Sequence, residues 1–393
     1  MNTNYVVLDL ETTVRNREVG KNLGTSHCKD NWVVLECYKH GGGPTIFNKY
    51  SDDSFDTGTA NGIPSSQVIV GQNIKFDLLY YLRDDGGLTI TWIQKGGRIW
   101  DTQLAEYLLT FQQSKWASLN QLSAKYGGTQ KDDKIKEFWD NGFDTTDIPP
   151  TMLIEYCEYD ILNTERAYLA QREKAAQLGM LPLIESQMDC LLATVLMEHN
   201  GMMFDKERAQ QSGALMLLEL NKNTSILQSL TGLPNPMSML QLSSYLFGGG
   251  VDVEDTEGVL DADGNPTHYK SGVKKGMLKT RKCKRTLPFL AQVKPIGSPN
   301  RNGYPTGDDD LKKVLKANPL HRDVHDVIEL VMTNRDLQKQ CNTYFLGYSA
   351  LVWKDGCIHG SINHCQTETG RLSSSKPNLQ NVSNKSTEVE SDE

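Results

Sequence analysis

The chain has 393 residues, a length that predicts two or three domains rather than one. Hydrophobic residues make up 38% and charged residues 23%, the balance of a soluble globular protein, with no run of about 18 apolar residues to span a membrane. The formal net charge of -8, taken alone, argues against a general nucleic-acid binder.

The N-terminus, MNTNYVVLDLETT, has no basic n-region and enters a strand-like run at once, so no signal peptide is expected. YVVLDL at 5–10 predicts a buried strand, WVVLECY at 32–38 a second and QVIV at 67–70 a third. Polar loops rich in Gly, Asn and Asp separate them. IKFDLLYYL from Ile74 to Leu82, DTQLAEYLLT at 101–110 and SLNQLSAKYG at 118–127 have helical spacing, the last closed by Gly127–Gly128. After Pro149–Pro150 a long helix is expected from Thr151 to about Ala176. Strands followed by mixed helices predict an α/β domain over residues 1–180.

The remainder reads as mostly helical, with helices at 183–200, 206–230, 238–247, 310–317 and 320–347. Between them, 251–302 forms an insertion of segregated charge. Asp252, Glu254, Asp255, Glu257, Asp261 and Asp263 come first. Lys270, Lys274, Lys275, Lys279, Arg281, Lys282, Lys284 and Arg285 follow. The basic run can contact backbone phosphates, or the two runs can be the strands of a solvated hairpin. The segment CIHGSINHC holds Cys357, His359, His364 and Cys365, but its spacing is wrong for a zinc knuckle and its alternation is that of an extended strand. None of the eight cysteines forms a C-x-x-C pair, so reduced thiols are expected. The last residues, 384–393, are polar and acidic and read as a disordered tail.

The acids carry the chemistry. Asp9 and Glu11 lie two apart on the first strand and share a face. Tyr156 and Asp160 lie four apart on a helix and share another. Asp77 opens a third element. Such oxygen donors suit two divalent ions, Mg2+ or Mn2+. D-x-E on an early strand, N-x-x-x-F-D after G-Q, and Y-x-x-x-D on a late helix resemble the proofreading 3′–5′ exonucleases with a ribonuclease-H-like fold. Here those motifs are Asp9–Glu11, Asn73–Asp77 and Tyr156–Asp160. The resemblance implies that Asp9 bridges two metals, Glu11 and Asp160 complete the tighter site, and Asp77 supports the second. It also implies that Tyr156 and Glu11 orient the attacking water and that Asn73 helps hold the terminal nucleotide or supports Asp77.

Residues 181–383 resemble the polymerase region of family A DNA polymerases. The matching segments are LMEHNGMMFD, with Glu198, Gly201 and Asp205, then NPMSMLQLSSYLFGGG, GYPTGDDDLKKV, NRDLQKQCNTYFLGY and TGRLSSSKPNLQN. This implies a thumb and the start of a palm. Arg335 and Lys339 would hold phosphates, and Arg371, Asn378 and Gln380 would read the primer–template end. The strand with the first polymerase aspartate, the nucleotide-binding helix and the second aspartate do not follow within the 393 residues. The resemblance therefore implies the exonuclease and thumb portion of a split, phage-type polymerase in a host cytoplasm. Its partners would be DNA and a second chain carrying palm and fingers. A stand-alone exonuclease, a non-catalytic replication subunit and a truncated gene are the rivals.

Overall fold

The computed structural model describes residues 4–14, 24–51, 67–129, 134–270, 274–301 and 303–382. The expected tail at 384–393 lies outside the described residues.

The β-branched run at Tyr5–Thr12 forms β1, buried along nearly its whole length. Such a run requires cover on both faces, which only a central strand obtains. β1 is the middle of a five-stranded sheet of order β3-β2-β1-β4-β5. β2 (Val33–His40) and β3 (Thr45–Lys49) run antiparallel beside it, while β4 (Val68–Gly71) and β5 (Arg98–Asp101) run parallel on the other side. The edge strands β3 and β5, TIFNK and RIWD, were not legible as strands in the sequence. Both are short and half polar, and neighbours rather than local preference decide them.

Among the described residues this unit holds the helices α1 (Lys75–Gln94), α2 (Thr102–Leu109), α3 (Leu119–Tyr126), α4 (Lys134–Asp140), α5 (Pro150–Gln177) and α6 (Leu181–Asn200). α1 runs past the expected end at Leu82. α3 begins with a capping box between Ser118 and Gln121 and ends where Gly127 takes φ 71°, a left-handed turn that glycine adopts without strain. Val6, Leu8, Ile69, Leu78, Leu104 and Ile161 form one core, which Ile184, Met188 and Val195 of α6 join. The first compact unit therefore continues past residue 180, through Phe204. It ends in β6 (Met202–Met203).

The second unit spans Asp205–Ala350. Asp205 caps α7 (Lys206–Thr231) by accepting from Arg208 N at 2.9 Å. α8 (Met239–Phe247), α9 (Asp308–Ala317) and α10 (Arg322–Gln340) pack around Leu227, Leu242, Leu246, Leu311, Ile328 and Val331. The charge-segregated stretch folds as a hairpin of β7 (Gly249–Gly258) and β8 (Thr280–Phe289). Its register sets Glu254 opposite Lys284 and Glu257 opposite Arg281. The expected helix at 320–347 is interrupted by a π-type turn at Cys341–Phe345 before the short α11 (Leu346–Ser349).

Residues Leu351–Asn384 return to the first unit. β9 (Cys357–Ile358) pairs with β6, and β10 (Ser361–Asn363) pairs with β11 (Ser373–Ser375). The expected single strand through CIHGSINHC is thus two, and its histidines are hydrogen-bonding residues. His359 Nδ1 lies 2.8 Å from the Glu198 carbonyl and Nε2 2.8 Å from Asp355 Oδ2, while His364 Nε2 lies 2.9 Å from Thr194 Oγ1. Gly201, at φ 67°, has its missing Cβ filled by the His359 ring, which a side chain there would meet at 2.8 Å. Among the described residues no helix is long and apolar enough to cross a membrane.

Candidate active site

Strand alternation places Tyr5, Val7, Asp9 and Glu11 on one face of β1. α5 packs against that strand. The Tyr5 hydroxyl donates to Glu165 Oε1 at 2.9 Å, its ring meets Tyr168 edge-on at 4.9 Å, and Lys39 of β2 pairs with the same Glu165. These contacts tie α5 across β1 and β2 and so bring its residues over the strand acids.

Asp77 comes from α1. The turn before it is tight, with Asn73 at φ 56°, a region that Asn tolerates better than most residues. Ile74 N donates to Asp101 Oδ2 at 2.8 Å, which fixes the start of the helix. Asp77 then accepts at Oδ1 from the backbone N–H of Leu10, 3.0 Å away and lying between the two strand acids. The carboxyl is 3% exposed. Burial first, then the charge of Asp9, hold it well above the usual carboxylate range. Two residues earlier, Lys75 donates to the buried Glu198 at 2.7 Å and to the Ile362 carbonyl.

α5 contributes Tyr156, Cys157 and Asp160. Tyr156 is half-buried and its ring meets Trp139 edge-on at 6.0 Å. Trp139 Nε1 donates to Thr145 Oγ1 at 3.1 Å, and that hydroxyl donates to the Thr12 carbonyl at 2.6 Å. A chain of contacts thus runs from the end of β1 to the ring of Tyr156. Asp160 is buried.

The ligand atoms of Asp9, Glu11 and Cys157 lie within 4.8 Å of one another, the one such group of three found among the described residues. Carboxylate oxygens are hard donors of the kind that hold Mg2+ or Mn2+. Burial, then the charge of Asp9, oppose ionisation of Asp77, and a bound cation would offset both. The donor set therefore fits a divalent metal. The cysteine in the group was missed by sequence reasoning, although its place three residues before Asp160 put both on one helix face. The expectation of reduced thiols is also corrected, since Cys157 is joined by a disulfide to Cys37. Cys37 is the register partner of Asp9 on β2, so the sheet carries it to the helix.

The first unit therefore holds Asp9, Glu11, Asn73, Asp77, Tyr156 and Asp160. Its returning segment carries Arg371 and Asn378, both exposed, and Gln380, which accepts from Ser374 Oγ. The second unit holds the other residues singled out. Arg335 donates from Nη1 to the Thr306 carbonyl at 2.6 Å and to Asp308 Oδ1 at 3.0 Å, whereas Lys339 on the next turn is exposed. On the hairpin Arg281 pairs with Glu257, Lys282 lies 3.9 Å from Glu254, and Lys274 and Lys275 are exposed.

A mixed sheet with acids on its central strand and a helix carrying Tyr-x-x-x-Asp across it defines an α/β domain, followed by a mostly helical unit. Residues 51–171 match the family model described as 3'-5' exonuclease, and residues 288–391 match that of DNA polymerase family A. The first match includes Asn73, Asp77, Tyr156 and Asp160. The second includes Arg335, Lys339, Arg371, Asn378 and Gln380. By these matches the chain is similar to a 3′–5′ exonuclease domain in its first half and to part of a family A DNA polymerase domain in its second.

Curated relatives agree. DNA polymerase I of Treponema pallidum is 39% identical over 104 residues, covering 26% of this chain and 10% of that protein. DNA polymerase I of Bacillus subtilis is 28% identical over 204 residues, covering 48% and 21%. The thermostable DNA polymerase I of Thermus thermophilus is 45% identical over 62 residues, covering 16% and 8%. The matches thus span from 8% to 21% of these relatives' own lengths. Among solved structures, the POL domain of Pol1 from M. smegmatis in complex with DNA primer-template and dNTP has a TM-score of 0.61 at 16% identity. The match covers 97% of this chain and 53% of that one, a likeness of fold.

Proposed function

We propose that this chain trims DNA from its 3′ end at the Asp9–Glu11–Asp77–Asp160 site. The carrying observation is the hydrogen bond from Leu10 N to Asp77 Oδ1, which joins the acid of α1 to the strand between Asp9 and Glu11. Bound Mg2+ or Mn2+, two ions on this reading, would supply an activated water and stabilise the leaving 3′ oxygen. Asp9, Glu11 and Asp160 are the residues that would hold the tighter ion, and Asp77 supports the second. Tyr156 orients the water with Glu11, its ring steadied by Trp139. Asn73 faces the terminal nucleotide from the exposed turn before α1.

The functional division follows the same reading. Residues 1–180 are the exonuclease, and 181–383 a thumb and the start of a palm. Lys339, Arg335 and the lysines of the insertion contact duplex phosphates, and Arg371, Asn378 and Gln380 meet the primer–template end. Polymerisation then needs fingers and the rest of a palm, elements that residues 181–383 do not supply.

Incubation with Mg2+ and a 5′-labelled single-stranded oligonucleotide is expected to give a ladder of shortened products. The double variant Asp9→Ala, Glu11→Ala should lower the rate by about a thousandfold or more, since the lost charges each contribute several kcal/mol at the reacting phosphate. Unchanged hydrolysis by that variant overturns the assignment. With dNTPs and a primed template, residues 1–393 should not extend, and extension by them overturns the reading of 181–383 as a thumb with only the start of a palm.

A further inference from the structure

The sheet and α5 place two cysteines against the carboxylates. Cys157 Sγ lies 3.5 Å from Asp9 Oδ2, and the donor atoms of Cys157, Asp9 and Glu11 all fall within 4.8 Å of one another. Cys37 and Cys157 are both fully buried, and the disulfide between them crosses from β2 to α5 beside Asp9. A sulfur that near the oxygens leaves room for one cation to touch all three. Metal–oxygen and metal–sulfur contacts of about 2.0–2.3 Å join donors roughly 3.5 Å apart, which is the separation of Cys157 Sγ and Asp9 Oδ2, and Glu11 must draw in from within 4.8 Å to complete the set.

We propose that in the dithiol form Asp9, Glu11 and Cys157 make a mixed carboxylate–thiolate site for a thiophilic divalent cation of the Zn2+ class, and that the bond to Cys37, which leaves the sulfur in place but ties up its thiolate, leaves an oxygen-only site. This rests on the reading of Asp9 and Glu11 as metal-binding carboxylates. The chemistry balances in two steps. A dithiol reductant breaks the Cys37–Cys157 bond, giving two electrons and two protons to the two sulfurs and leaving as its own cyclic disulfide. The arriving cation then displaces the proton of the Cys157 thiol to solvent as the metal–sulfur bond forms. Thiolate favours Zn2+ and Co2+ over Mg2+, whereas oxygen donors alone favour the hard ions. Cys37 therefore decides which class of metal the acids accept.

Co2+ is the probe, because a thiolate ligand gives it a charge-transfer absorption that carboxylates do not. Full-length protein reduced with a dithiol should develop that band at about one equivalent of Co2+, and diamide-oxidised protein should not. Cys37→Ser keeps the Cys157 thiol and should show the band with or without oxidant. Cys157→Ser should lack it and bind Co2+ roughly tenfold or more weakly, at least the effect of losing a supporting contact. The remaining free cysteines stay in every variant and set the background. A band of full strength in Cys157→Ser overturns the proposal, as does its absence from both reduced wild type and Cys37→Ser. Mg2+-dependent hydrolysis is read separately. A cobalt–thiolate band in a protein without exonuclease activity would support this site and count against the exonuclease reading.

Discussion

The backbone N–H of Leu10 donates to Asp77 Oδ1 at 3.0 Å across 67 residues of sequence. That bond brings a third acid to β1, where burial and the charge of Asp9 both oppose its ionisation. In EDTA at neutral pH, Asp77→Asn keeps an acceptor for Leu10 and removes a carboxyl whose ionisation the fold opposes. It should therefore raise the Tm while lowering Mg2+-dependent hydrolysis. A lower Tm in EDTA would mean that the carboxylate stabilises the metal-free fold, contrary to this account.

The chain from Thr12 to Thr145 to Trp139 steadies the Tyr156 ring. Thr145→Val keeps the volume and removes the hydroxyl, leaving a buried carbonyl and an indole N–H unpaired at a cost of about 1–3 kcal/mol. Urea unfolding measures that cost. If Tyr156 acts on the attacking water, kcat should fall about tenfold while KM for the oligonucleotide holds. Restoration of kcat by Thr145→Ser would separate positioning from general destabilisation.

Acid should weaken the first unit through its histidines. His27 stacks on His359 with ring centroids 4.0 Å apart and is pushed down to about 3 by burial, then by His359, His199 and Arg83, with Asp355 pulling the other way. His364 is pushed down to about 4 by burial and then by Lys75. Both are lower folded than the unfolded value of about 6.5, so the unfolded chain binds more protons in between. Stability is full above about 6.5 and falls as pH drops towards 4 and then 3. His27→Gln should flatten part of this slope in urea melts taken from pH 7.5 to 4. Parallel curves for variant and wild type would refute the assignment to His27.

Arg335 and Lys339 separate by their partners. Arg335 is held by Thr306 and Asp308, and Lys339 is exposed. Lys339→Ala should leave the Tm unchanged and reduce the slope of log binding against log salt on duplex DNA by about 1. Arg335→Ala should lower the Tm as well, because Asp308 and the Thr306 carbonyl lose their donor. Equal Tm values for the two variants would show that the contacts of Arg335 carry no stability.

The carboxylate motifs and the segments shared with family A polymerases were legible because each is a local pattern. Acids two apart on an apolar strand, or a tyrosine four before an aspartate on a helix, declare a shared face through backbone geometry alone. The long helices were legible for the same reason. The edge strands β3 and β5 were not, since five or four mixed residues carry too little periodicity to outweigh their surroundings. The basic run looked like a phosphate surface in sequence, yet Glu254 and Glu257 answer part of it across the hairpin.

The sequence by itself determined which residues are acids, which elements carry them and which families they resemble. The acidic total of -8 was never evidence about the site, because a sum over 393 residues discards position. Only the tertiary structure decided that Asp77 reaches Leu10, that Trp139 backs Tyr156, and that Cys37 and Cys157 meet beside Asp9. These contacts join positions 67 to 148 residues apart or depend on strand register and helix packing. Local propensity is blind to such pairings, since they form only when a buried core fixes the elements together.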